Sequence, residues 1–473
     1  MNPSTTQLPR AAAVAAVLAA MVLVVLDAGI ANVALPTIAR SLQVTPGMSV
    51  WVITAYQTAL VMGLLPCAAL GESQGHRGVF AIGVAVFTAA SALCALSPSL
   101  PWLVAARFLQ GLGGAAVMSL GVALLRSIVP RQQLGAAIGW NALAVALSSA
   151  AGPTIGALIL SHASWPWLFL LNVPLGAAVL LAARALPALK GTGRWLDLIS
   201  VALNAGALAA LVIGAELLIE KPAVAVLLLG AAALGLTMLV RREMPKAVPL
   251  VPLDLLRSPS LRVSVIASVS CFSGTTLGLM ALPFYLQHSF ELDALTTGLH
   301  MTPWPLTVAL VAPLAGRLAD RMPTSWLCVT GAGILAVALG AASLWPFQGR
   351  PQALVLITVV CGIGFGLFQV PNNRNMFLSA PDERSGAAGG MQGTARLAGQ
   401  TAGGIVMSLL FTVASADTAP RIALGIAAVL TFAAGFVSMA RTASALNRAV
   451  PPRSEARGPA TTRSRSLDRA ARS

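Results

Sequence analysis

Some fourteen apolar runs of bilayer-spanning length leave this chain one economical solution, a bundle of membrane helices. They lie near 11–36, 50–70, 79–97, 101–123, 134–160, 166–186, 197–218, 223–240, 261–287, 297–318, 326–346, 352–373, 386–413 and 421–440. Each is long enough to cross the hydrocarbon core as a helix, in which every backbone polar group finds its partner internally. Soluble domains carry about 25% charged residues; here 10% of 473 residues are charged and 57% are hydrophobic. The fold class is therefore all-α integral membrane. Several connections are only a few residues long, so neighbouring helices run antiparallel.

Basic residues set the orientation. Alternate connections carry His76 and Arg77; Arg126 and Arg131; Arg184, Lys190 and Arg194; Arg241, Arg242, Lys246, Arg257 and Arg262; Arg317 and Arg321; Arg374 and Arg384. The intervening loops carry at most one each. Positive loops stay inside, so both termini are expected in the cytoplasm. The formal charge of +15 thus reads as orientation signals and a basic tail, and no nucleic-acid partner is expected. The tail from Arg441 to Ser473, rich in Arg, Ser and Pro, reads as disordered. Cys67, Cys94, Cys271, Cys328 and Cys361 all fall inside apolar runs without paired spacing, which suits small packing residues rather than disulfides or a metal site.

An internal repeat is visible. Ala68-Ala69-Leu70-Gly71-Glu72 closes the second run, and Gly316-Arg317-Leu318-Ala319-Asp320-Arg321 closes the tenth. Glycines punctuate runs five and thirteen alike. Two six-helix halves with an inserted pair fit this spacing, with expected boundaries of 1–190, 191–245, 246–445 and a tail of 446–473. Repeated halves with a site between them are a common transporter plan.

Asp27 interrupts the first run in its outer part. An ionisable group there costs about 2.5–3.5 kcal/mol on insertion scales, so it is expected to face a partner or a wet cavity. In the fourth run Arg107, Gln110, Gly111 and Gly114 share one helix face at 3–4 spacing. Depth allows Arg107 to meet Asp27. Gly152-Pro153-Thr154-Ile155-Gly156 bends run five and permits close helix approach. In the second half, Gln392, Arg396, Gln400 and Gly403 share a face of run thirteen, with Arg396 near mid-membrane and no acid of its own half at that depth. Candidate cavity residues are Asn32, Tyr56, Gln57, Gln110, Trp140, Asn141, Phe284, Gln369, Asn373 and Arg396. Glu216 and Glu220 read as surface groups. No nucleophile–base or metal-ligand cluster occurs at membrane depth, so neither an enzyme nor a cofactor is expected.

The segments around Asp27–Pro36, Arg107–Gly111, Gly152–Gly156 and Trp165–Pro174, in that order, resemble the drug:proton antiporters of the major facilitator superfamily, in the branch with fourteen helices. The resemblance covers nearly the whole chain before the tail. It implies two six-helix bundles rocking about a central cavity, with the extra pair packed outside. It also implies proton-driven export. The expected setting is the bacterial cytoplasmic (inner) membrane, with a monomer acting on small molecules. It assigns Asp27 and Arg107 to proton coupling, and Gly152, Pro153 and Gly156 to the antiporter bend. Gly71, Glu72, Arg77, Gly316, Asp320 and Arg321 fall in the loops that latch the halves. The first of these loops departs from the family pattern: Glu72 keeps the charge, but Ser73 replaces the usual basic residue. Gly29 replaces a usual hydroxyl residue, and Pro166 a common Arg. The expected substrates are amphipathic monocations. Export of one endogenous metabolite, favoured as an anion by Arg396, is the alternative, and a channel or sensor a distant third.

Overall fold

A computed structural model describes residues 3–130, 134–187, 191–193, 197–246, 253–344, 351–379 and 385–449. These residues form sixteen α-helical segments and no strand, grouped into fourteen long units. The units match the fourteen apolar runs. Eleven are long and apolar enough to cross a membrane by length and composition. Among the rest, α12 (Pro303–Arg321) ends in Arg317, Asp320 and Arg321, and α15 (Ser385–Val413) carries Gln392, Arg396 and Gln400. A helix that faces other helices or a cavity needs no fully apolar surface.

Two of the fourteen units are broken. The sixth is α6 (Pro166–Leu170) followed by α7 (Asn172–Ala182). The tenth starts earlier than the sequence suggests, as α11 (Ala294–Met301), and continues as α12. Local chemistry explains the starts. Thr45 accepts the Met48 amide ahead of Pro46 in α2 (Pro46–Gln74), and Asp293 accepts the Thr296 amide at α11. Gly75, at φ +108°, turns the chain between α2 and α3 (His76–Ala95), a conformation that favours glycine.

In the first half, α1 (Pro3–Ser41), α2, α3, α4 (Leu100–Ile128), α5 (Leu134–His162) and the broken α6–α7 unit pack together. Helix α4 approaches α2 so closely that a methyl at Gly111 would lie 2.4 Å from the Tyr56 carbonyl oxygen. In the second half, α10 (Pro259–Phe284), α13 (Thr324–Leu344), α14 (Gln352–Leu378) and α16 (Ala419–Ala449) join α11, α12 and α15. Helix α5 packs on α11 and α12, and α2 on α15, which joins the halves. At one end Arg40 donates to Gln287 at 3.1 Å, and the Thr154 and Thr302 hydroxyls bond to each other. Phe284 meets Phe411 edge-on at 4.8 Å in the same region.

Of the inserted pair, α8 (Leu198–Glu216) and α9 (Pro222–Glu243), it is α8 that bridges that seam. Asn204 donates to the Met62 carbonyl of α2 at 3.1 Å, and Glu216 hydrogen-bonds Ser408 of α15. Glu216 is therefore not a surface group: it is 7% exposed. A long apolar helix hides whether its polar end meets water or another helix, and here it meets α15. At the foot of the pair, Asp197 caps α8 and pairs with Arg242 at 3.0 Å and Lys246 at 2.5 Å. The boundaries expected near 190 and 245 fall at or beside undescribed residues. Helix α16 runs on to Ala449, past the expected start of the tail, and residues 450–473 lie outside the described chain.

Candidate functional site

Asp27 and Arg107 form an ion pair of 2.5 Å between Oδ2 and Nη1, with Arg107 fully buried and Asp27 2% exposed. Four further residues hold it. From α2, the Val52 carbonyl accepts the Arg107 Nε–H at 3.0 Å. Gln110, one turn along α4, accepts from Arg107 at 2.6 Å and donates to Asp27 Oδ1 at 3.0 Å. Ser91 of α3 accepts from Gln110 at 2.8 Å. Asn172 donates to Asp27 Oδ1 at 2.6 Å from the first residue of α7, where the break at Leu171 aims it inward. A buried charge pair survives only when its remaining donors and acceptors are also met. Here two gaps remain in the cluster, since Arg107 Nη2 and Asn172 Oδ1 have no hydrogen-bond partner.

Aromatic rings close the cluster. The Arg107 guanidinium lies 4.2 Å from the Tyr56 ring centre and 5.4 Å from that of Phe169. The Tyr56 hydroxyl donates to the Val24 carbonyl at 3.2 Å, tying α2 to α1 beside Asp27.

A cavity of about 210 Å³ lies on the other side of Tyr56, lined by α1, α2, α4 and α5 of one half and α10, α11, α12 and α15 of the other. Its polar lining is Asn32, Tyr56, Gln57, Ser149, Thr276, Arg396 and Gln400. No carboxylate is among the described lining residues. Asp27, the acid assigned to proton coupling, is absent from the wall.

Of the ten cavity candidates, Asn32, Tyr56, Gln57 and Arg396 line this space. Gln110 instead belongs to the ion-pair cluster. Phe284 is wholly buried between Phe411 and His288, and Trp140 points away at 64% exposure. Asn141, Gln369 and Asn373 are half-buried and do not line it. Met118, Thr276 and Gln400 line it without having been singled out for the cavity. Asn172 was also missed, although an Asn inside an otherwise apolar run is the same kind of signal as Asp27.

The bend of α5 touches both halves. A methyl at Gly152 would lie 2.9 Å from the Gly29 Cα, and one at Gly156 3.1 Å from the Ile30 carbonyl oxygen. Gly29 thus stands where a side chain would separate α1 from α5. Pro153 lines the cavity, and its carbonyl oxygen would meet a methyl at Gly298 of α11 at 2.7 Å.

The two repeated loops behave differently. Asp320 pairs with Arg374 at 2.7 Å, while Gly316 and Arg321 stand free of close packing. Glu72 is exposed, and its backbone carbonyl accepts the Thr192 amide at 2.9 Å. Gly71 packs on Leu120, and Arg77 is half-buried.

A family model described as Major Facilitator Superfamily matches residues 17–404 and, in a second match, 263–469. The chain belongs to the major facilitator superfamily. Members similar to it include the uncharacterized transporter YebQ of Escherichia coli (strain K12), 43% identical over 93% of this chain and 97% of that one. The tetracenomycin C resistance and export protein of Streptomyces glaucescens is 32% identical over 86% and 76%. The riboflavin transporter RibZ of Clostridioides difficile (strain 630) is 29% identical over 78% and 81%. Among solved structures, a proton dependent oligopeptide transporter superposes with a TM-score of 0.64 at 15% identity, covering 93% of this chain and 98% of its own. That likeness concerns the superfamily fold alone. This superfamily member is a multi-pass membrane transporter of small molecules.

Proposed function

We propose that this transporter is a proton-coupled exporter of amphipathic organic compounds, in the fourteen-helix drug:proton antiporter branch. It works as a monomer in the bacterial cytoplasmic membrane with both termini inside. The observation that carries the reading is the Asp27–Arg107 pair, sealed inside one bundle with Tyr56 between it and the central cavity. The similar Streptomyces protein, named for resistance and export, supports the direction.

Coupling follows from electrostatics. A proton on Asp27 removes the charge that Arg107 pairs with and leaves a buried guanidinium without its counter-ion, which is costly at low dielectric. Protonation therefore disfavours the sealed arrangement and favours one in which water reaches the pair. On the proposed orientation, the Arg40–Gln287 and Thr154–Thr302 contacts close the outer end. Opening that end admits protons to Asp27, and release to the cytoplasm lets the pair reseal. The populations of the two states then follow the proton gradient. Gly71, Glu72 and Arg77, with Gly316, Asp320 and Arg321, serve as latches at the inner end.

The test uses everted vesicles from a pump-deficient host with a panel of amphipathic compounds. Wild-type transport should follow an imposed pH gradient and stop with a protonophore. Asp27→Asn should reach the membrane in equal amount and show no gradient-driven transport. Transport at the parent rate in that variant would remove Asp27 from the coupling role. A second reading, export of a single endogenous metabolite, is favoured by Arg396 in the cavity wall.

A further inference from the structure

We infer that the compounds carried by this transporter bear an anionic group that docks on Arg396. The inference rests on the export reading above and adds the charge class of the cargo.

Three observations carry it. First, the charge balance of the wall is one-sided. Arg396 is a lining residue, and among the described residues no Asp or Glu is. The acid in the neighbouring bundle, Asp27, is committed to Arg107, Gln110 and Asn172 and is sealed from the cavity.

Second, Arg396 is unspent. The ion pairs among the described residues join Asp27 to Arg107, Asp197 to Arg242 and Lys246, Glu243 to Lys246, and Asp320 to Arg374. Arg396 is in none of them, and its buried Nε has no hydrogen-bond partner. A guanidinium at this depth is expensive unless something compensates it. Its planar fork matches a carboxylate or a similar oxyanion in a bidentate way.

Third, the rest of the wall can orient an acid. Asn32 spends its Nδ2–H on the Ala28 carbonyl at 3.1 Å, which leaves Oδ1 as a buried acceptor without a donor. Gln57 Oε1 is another such acceptor. An anion that also carries an N–H or O–H donor would meet Arg396 with one group and Asn32 or Gln57 with the other. The remaining lining, including Leu60, Leu279 and Met301, is apolar. The cargo class is an amphipathic organic acid with at least one hydrogen-bond donor.

A cation fares worse in the same place. It would lose hydration, meet no carboxylate, and be repelled by Arg396 at an effective dielectric well below that of water.

The experiment uses three probes on one fluorescent scaffold: dansylglycine, its neutral methylamide, and the cationic dansyl-ethylenediamine. Binding to the purified full-length protein is read by fluorescence anisotropy at pH 7. The carboxylate should bind at least tenfold tighter than the amide, and the amine weakest. Arg396→Gln should abolish that preference, and Arg396→Lys should keep part of it. Equal binding, absence of binding by all three, or a preference for the amine in the wild type would overturn the inference. So would a carboxylate preference surviving in Arg396→Gln. The same probes in proteoliposomes separate this inference from the coupling mechanism. Carboxylate-selective binding without pH-driven transport would refute coupling and leave the cargo class standing. pH-driven transport of the amine alone would do the reverse.

Discussion

The guanidinium of Arg107 stacks 4.2 Å from the centre of the Tyr56 ring, and the same tyrosine forms part of the cavity wall. One side chain thus touches the buried charge pair and faces the cavity. Tyr56→Phe keeps the ring and loses the hydroxyl bond to Val24, worth about 1 kcal/mol. It should transport at a rate within a few-fold of the parent. Tyr56→Leu removes the cation–π contact and should slow gradient-driven transport by tenfold or more while cargo still binds. Comparing binding and transport in the two variants checks this. Equal behaviour of Phe and Leu would show that the ring has no coupling role.

The Asp27–Arg107 pair should display strong energetic coupling. Removing one partner of a buried pair costs about 3–5 kcal/mol because the other charge is stranded. Asp27→Asn and Arg107→Gln should each lower the melting temperature in detergent. The double variant, which strands no charge, should be more stable than the two losses added together would make it. Additive losses would mean that the pair contributes little as a pair.

Gly152→Ala should be disruptive, because its methyl would meet the Gly29 backbone at 2.9 Å, which cannot swing aside. The expected cost is about 1–3 kcal/mol, as for overpacking generally. Gly206 has nothing within 4 Å of such a methyl, so Gly206→Ala serves as the silent control. Thermal unfolding of both variants decides the matter, and matching melting curves would contradict the tight α1–α5 contact.

At the foot of the inserted pair, hydrogen bonds from Arg242 and Lys246 hold the Asp197 carboxyl well below the usual carboxylate range. A depressed folded-state value stabilises the fold above the unfolded value, near 3.9 on the reference scale, and that gain disappears as pH falls through the folded one. The stability gap between wild type and Asp197→Asn should be full at pH 6–8 and should narrow below about pH 4. A gap that stays constant from pH 7 to pH 3 would show that the network does not depend on the ionised acid.

Orientation can be read by labelling single cysteines on a background free of the five native ones. A cysteine in place of Arg242 should resist impermeant reagent from outside, and one in place of Ser161 should react. The reverse pattern would invert the topology.

Much of this architecture was legible in the residue order because bilayer length is a strict ruler. All fourteen units answer to apolar runs, and the depths of Asp27 and Arg107 allowed the pairing that the structure shows. Facing direction was much less legible. Trp140 and Phe284 both sit in apolar helices, and hydropathy does not say whether an aromatic ring points to lipid, to a neighbouring helix or to a cavity. The same blindness hid the burial of Glu216. Asn172 escaped because its role depends on the break at Leu171, which turns the first residue of α7 toward Asp27.

The one-sided charge of the cavity wall also decides how such a pump would use its energy supply. A monocation leaving as one proton enters moves no net charge, so only the pH difference would drive it. An organic monoanion leaving as one proton enters carries two charges in the same electrical sense. Each is worth about 2.3 kcal/mol per 100 mV of membrane potential. With Arg396 in its wall and Asp27 locked away behind Tyr56, the transporter would be a voltage-driven machine first and a pH-driven one second. Cells at alkaline pH, with almost no pH gradient left, would still be able to run it.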